Sequence, residues 1–413
     1  MNQKFIYLAL TFLSLVLALR LISFHENIQT YPAGSVISFK TQLLDQPEIS
    51  YRGQQMSLIM PNSQRLYARL ELDPLLSYGD YIRIQGKIQY FQAENGSKIA
   101  FINYPRFEVI QKRSDSNWIY KARENIIFFF NSSLPPTYSS LMLGIVFGIK
   151  QEMDSQFYLD LQKVGLLHVI AASGMNITML GGFLSAFFLL FLKRQIALAF
   201  TILGIIFYAF LAGLEPSIVR ASIMGILVFS AQITGRQSSA FLVLFVAGFL
   251  MLFRNPSLIF DIGFQLSFLA TFGLIYLRPL FLINQRLKHF FEKTVIGQDL
   301  ATTLTAQIFT LPILLINFGS YSLWSIPVNA IVLWTVPILM IIGGISAVFS
   351  FILEPFAKLI LYLSIPFLLY FTKIVEVFGS FPGQIEIKTT PILLVCGYYF
   401  ILFALVVYLR GRK

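Results

Sequence analysis

The spacing of apolar and polar positions along the chain changes period twice. Lys4 precedes an apolar run from Phe5 to Leu19, followed by Arg20 and Leu21-Ile-Ser-Phe24. About 20 such residues suit one membrane crossing, and Arg20 can snorkel toward the far interface. No small-x-small cleavage site follows, so residues 1–24 are expected to be an uncleaved membrane anchor, not a removed signal.

From His25 to Arg113 the period falls to two. Leu66, Ala68, Leu70 and Leu72 share one face, and the stretch Asp80 to Tyr90 alternates in the same way. Turn formers interrupt these runs at Pro32-Ala-Gly34, Pro61-Asn62, Tyr78-Gly-Asp80 and Glu94-Asn-Gly96. About five short strands in this length predict a small all-β barrel of OB type over residues 25–113. Gly86, inside one strand pattern, is expected at a bend or bulge.

The helical period returns at Trp118. Trp118, Ala122, Ile126 and Phe129 fall on one side, with Lys121, Arg123, Glu124 and Asn131 elsewhere, as in an amphipathic helix on a membrane surface. Ser132-Ser-Leu-Pro-Pro136 ends it, and the apolar stretches Thr137 to Ile149 and Phe157 to Ile170 are short for clean crossings. Residues 114–173 are therefore expected to hold amphipathic and re-entrant helices. Apolar runs then recur at about 174–192, 195–213, 216–233, 238–253, 258–277, 298–316, 323–349, 355–378 and 389–409, each near a membrane's thickness. The fold class expected is a polytopic α-helical membrane protein of about ten spans, with residues 174–413 forming its multi-span domain.

Composition sharpens this reading. Of 413 residues 56% are hydrophobic, 42 are Phe and only 12% are charged, and the mean hydropathy is +0.71. Soluble chains carry roughly 25% charge, so a cytosolic enzyme is excluded. Cys396 is alone, and the histidines are His25, His168 and His289. That leaves no internal disulfide, and no metal centre or cofactor is expected. Net charge is +11, yet residues 25–131 are nearly balanced, with 12 Lys and Arg against 10 Asp and Glu. Residues 132–413 hold 17 against 10. One threading places Lys193, Arg194, Arg236, the stretch Arg278 to Lys293, Lys358 and the C-terminal Arg410-Gly-Arg-Lys413 on a single side. By the positive-inside rule that side is the cytoplasm, the C-terminus is cytoplasmic and the β module lies outside.

Polar groups within apolar spans are costly and mark candidate sites, helix–helix hydrogen bonding being the alternative. His168, Ser173, Gly174, Asn176 and Thr178 crowd one short stretch, and Gly174 after Ser173 suggests a helix break lining a cavity. Ala172-Ser173-Gly174 also admits a serine nucleophile, but His168, five positions earlier, is off-face for a base. Glu215 precedes Pro216 at a helix start, and Arg220 lies one turn in. Asp261 is at comparable depth, so Arg220 pairs with it, lines an aqueous path, or does both. Gln265, Ser267, Gln307 and Asn329, with Asn317 nearby, extend the polar set.

These segments resemble the ComEC family, the competence membrane channel that admits transforming DNA. The resemblance is carried by His168-Val-Ile-Ala-Ala-Ser-Gly-Met-Asn176, Pro216-Ser-Ile-Val-Arg-Ala221, Asp261-Ile-Gly-Phe-Gln-Leu-Ser-Phe268, Ala306-Gln-Ile-Phe-Thr-Leu-Pro312, and Phe318-Gly with Pro327-Val-Asn329, in order. It implies uptake of single-stranded DNA across the bacterial plasma (inner) membrane in natural transformation. It also implies a DNA receptor, a cytoplasmic helicase or ATPase, and a nuclease as partners, beside membrane lipid, and leaves room for a homo-oligomer. Full-length members carry a metallo-β-lactamase-like nuclease domain. This sequence has no His-x-His-x-Asp-His run and no phosphate-binding Gly-x-x-x-x-Gly-Lys loop. No catalytic residue is expected, and the nuclease would be separate. On the β module, Arg83, Lys87, Tyr90, Phe91 and Tyr104 become candidates for stacking bases and tracking phosphates, against the reading of ordinary barrel surface. A small-molecule or ion transporter with broken helices, which would show inverted repeats, and an intramembrane serine hydrolase are the competing functions.

Overall fold

In a bilayer every backbone amide must bond within the protein, so apolar segments fold as helices whose ends need partners. The computed structural model describes residues 3–26, 31–43, 47–50, 53–61, 65–76, 79–92, 98–112, 118–149, 153–170, 173–281, 294–386 and 391–411. Most of the basic stretch expected between Arg278 and Lys293, with His289, lies outside the described residues. The chain divides into two compact units, 1–121 with 248–261, and 122–247 with 262–413.

The first unit begins with helix α1 (Gln3–Glu26) over the expected anchor. Its strands are β1 (Val36–Gln42), β2 (Glu48–Ser50), β3 (Gly53–Ile59), β4 (Arg65–Leu70), β5 (Tyr81–Lys87), β6 (Gln89–Gln92), β7 (Lys98–Asn103) and β8 (Arg106–Gln111). Among the described residues they form two sheets and not the closed barrel expected, a three-stranded β1-β5-β8 and a five-stranded β2-β3-β4-β7-β6. All pairings are antiparallel except β4 with β7. The inward residues of both sheets, including Ile37, Phe39, Leu58, Leu66, Ile82, Ile84 and Ile102, make one core. Period-2 patterning demands one buried face per strand but does not specify how the sheets close. Gly86 is not the bulge: the register shifts between Tyr81 and Ile82, and Gly86 pairs regularly with Ile37. A Cβ there would lie 2.8 Å from Pro105 and 2.9 Å from Ile102, so the glycine permits a close approach. Gln54, fully buried, was not legible as structural. It donates to Glu71 O and Pro74 O and accepts from Leu76 N, tying the following loop to the sheet.

The second unit is helical. Helix α2 (Trp118–Ser133) buries Ile126, Phe129 and Phe130 and leaves Phe128 outward. Trp118, on the apolar side expected to lie along a membrane surface, is exposed. Helix α3 (Pro136–Phe147) is buried from Ser139 through Phe147. A helix apolar all round belongs in the interior, and this short segment sits at the centre of the unit's core. Then follow α4 (Ser155–Lys163), α5 (Leu167–Ile170), α6 (Gly174–Leu189), α7 (Arg194–Leu211), α8 (Pro216–Ile233) and α9 (Ala240–Arg254). The 3-10 turn Pro256–Phe260, with the end of α9, belongs to the first unit, and the second continues with α10 (Ile262–Tyr276), α11 (Arg278–Phe281) and α12 (Val295–Phe318). The runs expected as single spans at 323–349 and 355–378 are each broken. Helices α13 (Ser325–Val332) and α14 (Thr335–Phe349) meet at 51°, and α15 (Glu354–Tyr362) and α16 (Ile365–Gly379) at 46°. Helix α17 (Ile392–Gly411) closes the described chain. Among the described residues three helices are long and apolar enough to cross a membrane, or up to five if each bent pair is one span. Helices α6, α7 and α8 pack together, α8 meets α10, and α10 lies along α12.

Candidate functional site

A polar side chain inside an apolar unit needs a partner, and its choice of partner says what it does. Asn176 is buried, and its Nδ2 donates to Ile145 O at 2.8 Å and to Tyr208 Oη at 3.4 Å. Tyr208 Oη donates in turn to Val146 O at 2.6 Å. Both carbonyls are in the last turn of α3, whose chain then leaves through Gly148 at φ 71°. Two side chains thus close the C-terminal end of the central helix, where carbonyls lack intrahelical donors. Tyr208 escaped the sequence reading because nothing local distinguishes it from an interfacial tyrosine.

Ser173 stands at the N-cap of α6 in extended conformation, but it does not cap. Its Oγ donates to Asn176 Oδ1 at 3.3 Å instead. Thr178 is exposed and its Oγ1 donates back to Gly174 O at 2.9 Å. Arg220, one turn into α8, is 6% exposed. Its Nε donates to Ser267 Oγ at 2.6 Å and Nη1 to Met224 Sδ at 3.2 Å, and its Cζ lies 5.9 Å from the Phe268 ring centre. Those partners carry no charge. Nη2 points at α6, 2.8 Å from where a Cβ on Gly174 would stand. Asp261, the expected counter-charge, ends the 3-10 turn and belongs to the other unit. Glu215 is the N-cap residue of α8, and Gln265 is half-buried on α10.

A second polar group lies where α12 meets α13. Tyr321 Oη donates to Gln307 Oε1 at 2.7 Å, Gln307 Nε2 donates to Ser325 Oγ at 2.9 Å, and Ser325 Oγ lies 3.3 Å from Tyr321 Oη. Asn329, one turn on, is buried with Oδ1 lacking a partner among the described residues. Tyr321 and Ser325 went unnoticed because single hydroxyls are common in apolar segments. Residues on either side of the break between α5 and α6 touch the two groups. Ser322 Oγ donates to Lys163 O, Gly165 lies against Ser325, and exposed His168 has Nδ1 3.1 Å from Gly165 O. Beyond the break Gly174, the first residue of α6, abuts Arg220.

In the β unit the five candidates do not converge. Arg83 and Lys87 face outward from the three-stranded sheet, where Lys40 is opposite Arg83, and Arg83 bonds Glu108 at 3.2 Å. Phe91 faces outward from the five-stranded sheet, with Tyr67 and Phe101 paired side by side nearby. Tyr90 Oη donates to Tyr31 O, and Tyr104 is exposed in the turn before β8. Lys40 and Arg106 join the basic face through strand register, which periodicity does not reveal. Among the described residues no three His, Cys, Asp or Glu side chains gather as a metal site would require.

Residues 145–412, more than half of the chain, match a family model described as competence protein. The chain is 30% identical over 251 residues to ComE operon protein 3 of Bacillus subtilis (strain 168), covering 60% of this chain and 31% of that protein. An uncharacterized protein of Aquifex aeolicus (strain VF5) is 30% identical over 131 residues, 31% of each chain. The matched region thus spans about a third of the length of these curated relatives. No solved structure matches.

Proposed function

Because the chain belongs to the competence protein family, we propose that it forms the membrane channel through which single-stranded transforming DNA enters the cytoplasm. The observation that carries this reading is the position of the family match. Residues 145–412 contain both polar groups and the broken stretch between them. The strand enters from outside, where the β unit lies, and passes His168, Ser173, Gly174, Asn176 and Thr178. It then meets Arg220 and Ser267, with Gln265 on the same helix as Ser267 and Glu215 at the start of α8. Gln307 and Asn329 border the second polar group. A lone guanidinium lowers the cost of carrying phosphates through an apolar wall without a deep trap. The chain is a multi-pass protein of the bacterial plasma membrane with the basic loops inside. A receptor outside, a cytoplasmic helicase or ATPase and a separate nuclease supply capture, pull and strand degradation. Labelled DNA supplied to a strain lacking this gene should stay protected outside the membrane, and the restored gene should return it to the cytoplasm. Undiminished import in the deletion strain would refute the proposal.

A further inference from the structure

Resting on the channel reading, the geometry points to a phosphate seat between the N-terminal end of α6 and the guanidinium of Arg220, and we propose that it holds a phosphodiester of the passing strand. The first amides of a helix have no acceptor within it and carry the positive end of its dipole. Here the natural cap is withheld, because Ser173 turns its hydroxyl to Asn176 Oδ1. Arg220 is 6% exposed, and among the described residues its Nη2 has no hydrogen-bond acceptor. That free Nη2 is directed at Gly174, the first residue of the helix. A positive helix end and a buried cation therefore converge, and among the described residues no carboxylate lies within bonding distance of the guanidinium. An anion with several oxygens satisfies both at once, because one oxygen accepts from the helix amides and another from Nη2. A phosphodiester carries one charge and two free oxygens, which suits a single guanidinium face.

Gly174 is what leaves the seat open. A methyl group there would stand 2.8 Å from Nη2 and 3.6 Å from Ala221 Cβ, filling the space an oxygen needs. Its backbone is ordinary helix, for which alanine is the better residue. Nη2 ends a flexible side chain and can withdraw from the methyl, so helix propensity and binding predict opposite outcomes for one substitution.

The test uses the full chain in zwitterionic lipid nanodiscs with a fluorescent oligothymidylate, read by anisotropy, beside DNA import in cells carrying the same alleles. Gly174→Ala should bind the oligonucleotide at least tenfold more weakly, lose import and melt no lower than wild type. Arg220→Gln should show the same loss, and the double variant should be no weaker than the worse single. A methylphosphonate oligonucleotide, which lacks backbone charge, should bind wild type as poorly as the phosphodiester binds Gly174→Ala. Wild-type affinity and import in a normally melting Gly174→Ala protein overturn the seat while leaving the channel reading intact. If Gly174→Ala instead releases only anionic phosphatidylglycerol in native mass spectrometry, the seat belongs to a lipid headgroup and the proposal fails. Should wild type neither bind oligonucleotide nor support import, the channel reading falls with it.

Discussion

Asn176 directs its amide at the end of a buried helix, so its loss is felt first as stability. Asn176→Ala leaves Ile145 O without that donor, and Tyr208→Phe does the same to Val146 O. Each orphaned buried carbonyl costs about 1–3 kcal/mol, seen as a lowered melting temperature of detergent-purified protein. Unchanged melting in both variants would mean that other donors reach these carbonyls. Arg220 responds differently. A charge at such depth costs at least about 2.5–3.5 kcal/mol on insertion scales, so Arg220→Gln should be inserted at least as well as wild type while import is lost. Arg220→Lys keeps a point charge but not the fork that reaches Ser267 and Gly174 together, and should retain only part of the import. Ser267→Ala removes the acceptor of Nε, at about 1.5–3 kcal/mol for a charged hydrogen bond. A Ser267→Ala protein with normal melting and normal import would show that Arg220 does not depend on it. The sequence identified Arg220 and Ser267 separately, from polarity at depth. Their contact joins residues 47 apart, a distance no helical period relates.

Strands and helices were legible because each is a local pattern of burial. The alternation of Arg65–Leu70 and Tyr81–Lys87, and the helix start at Gly174, follow from side chains within a few residues of each other. What each element packs against was not. The outward faces of the two sheets carry different chemistry: Lys40, Arg83 and Lys87 on one, and Tyr67, Phe91 and Phe101 on the other. A short strand lying on one face leaves the other untouched. Backbone charge dominates non-specific binding to single strands, so the basic face should carry it. Lys40→Ser with Lys87→Ser should reduce the slope of log affinity against log salt by about 0.7 for each phosphate no longer neutralised. Phe91→Ala should change affinity less than twofold, because a stacked base is worth about 1–3 kcal/mol only where a ring receives one. A large loss from Phe91→Ala with an unchanged salt slope would move the binding face to the five-stranded sheet. The exposed Arg83–Glu108 pair adds little stability of its own.

Topology is tested most directly from the β unit. Ser38 faces outward on β1, so a Ser38→Cys protein in a Cys396→Ser background should react with an impermeant maleimide on intact cells. Labelling only after lysis would place the unit inside and reverse the threading of basic loops. The sequence determined the apolar character of the chain, the order of its segments, the β region between anchor and helices, and the residues that are out of place in an apolar environment. Those properties depend on the transfer cost of each side chain and on neighbours one helical turn or one strand pair away. It did not determine that α3 is the centre of the core, that Asn176 and Tyr208 close its end, that two long apolar runs bend by 51° and 46°, or that the β strands form two open sheets. The closure of that helix end rests on contacts between residues 31 and 62 positions apart. Such contacts are chosen by competition among all apolar surfaces for burial and all orphaned polar atoms for partners, and that competition is resolved only when the chain has packed.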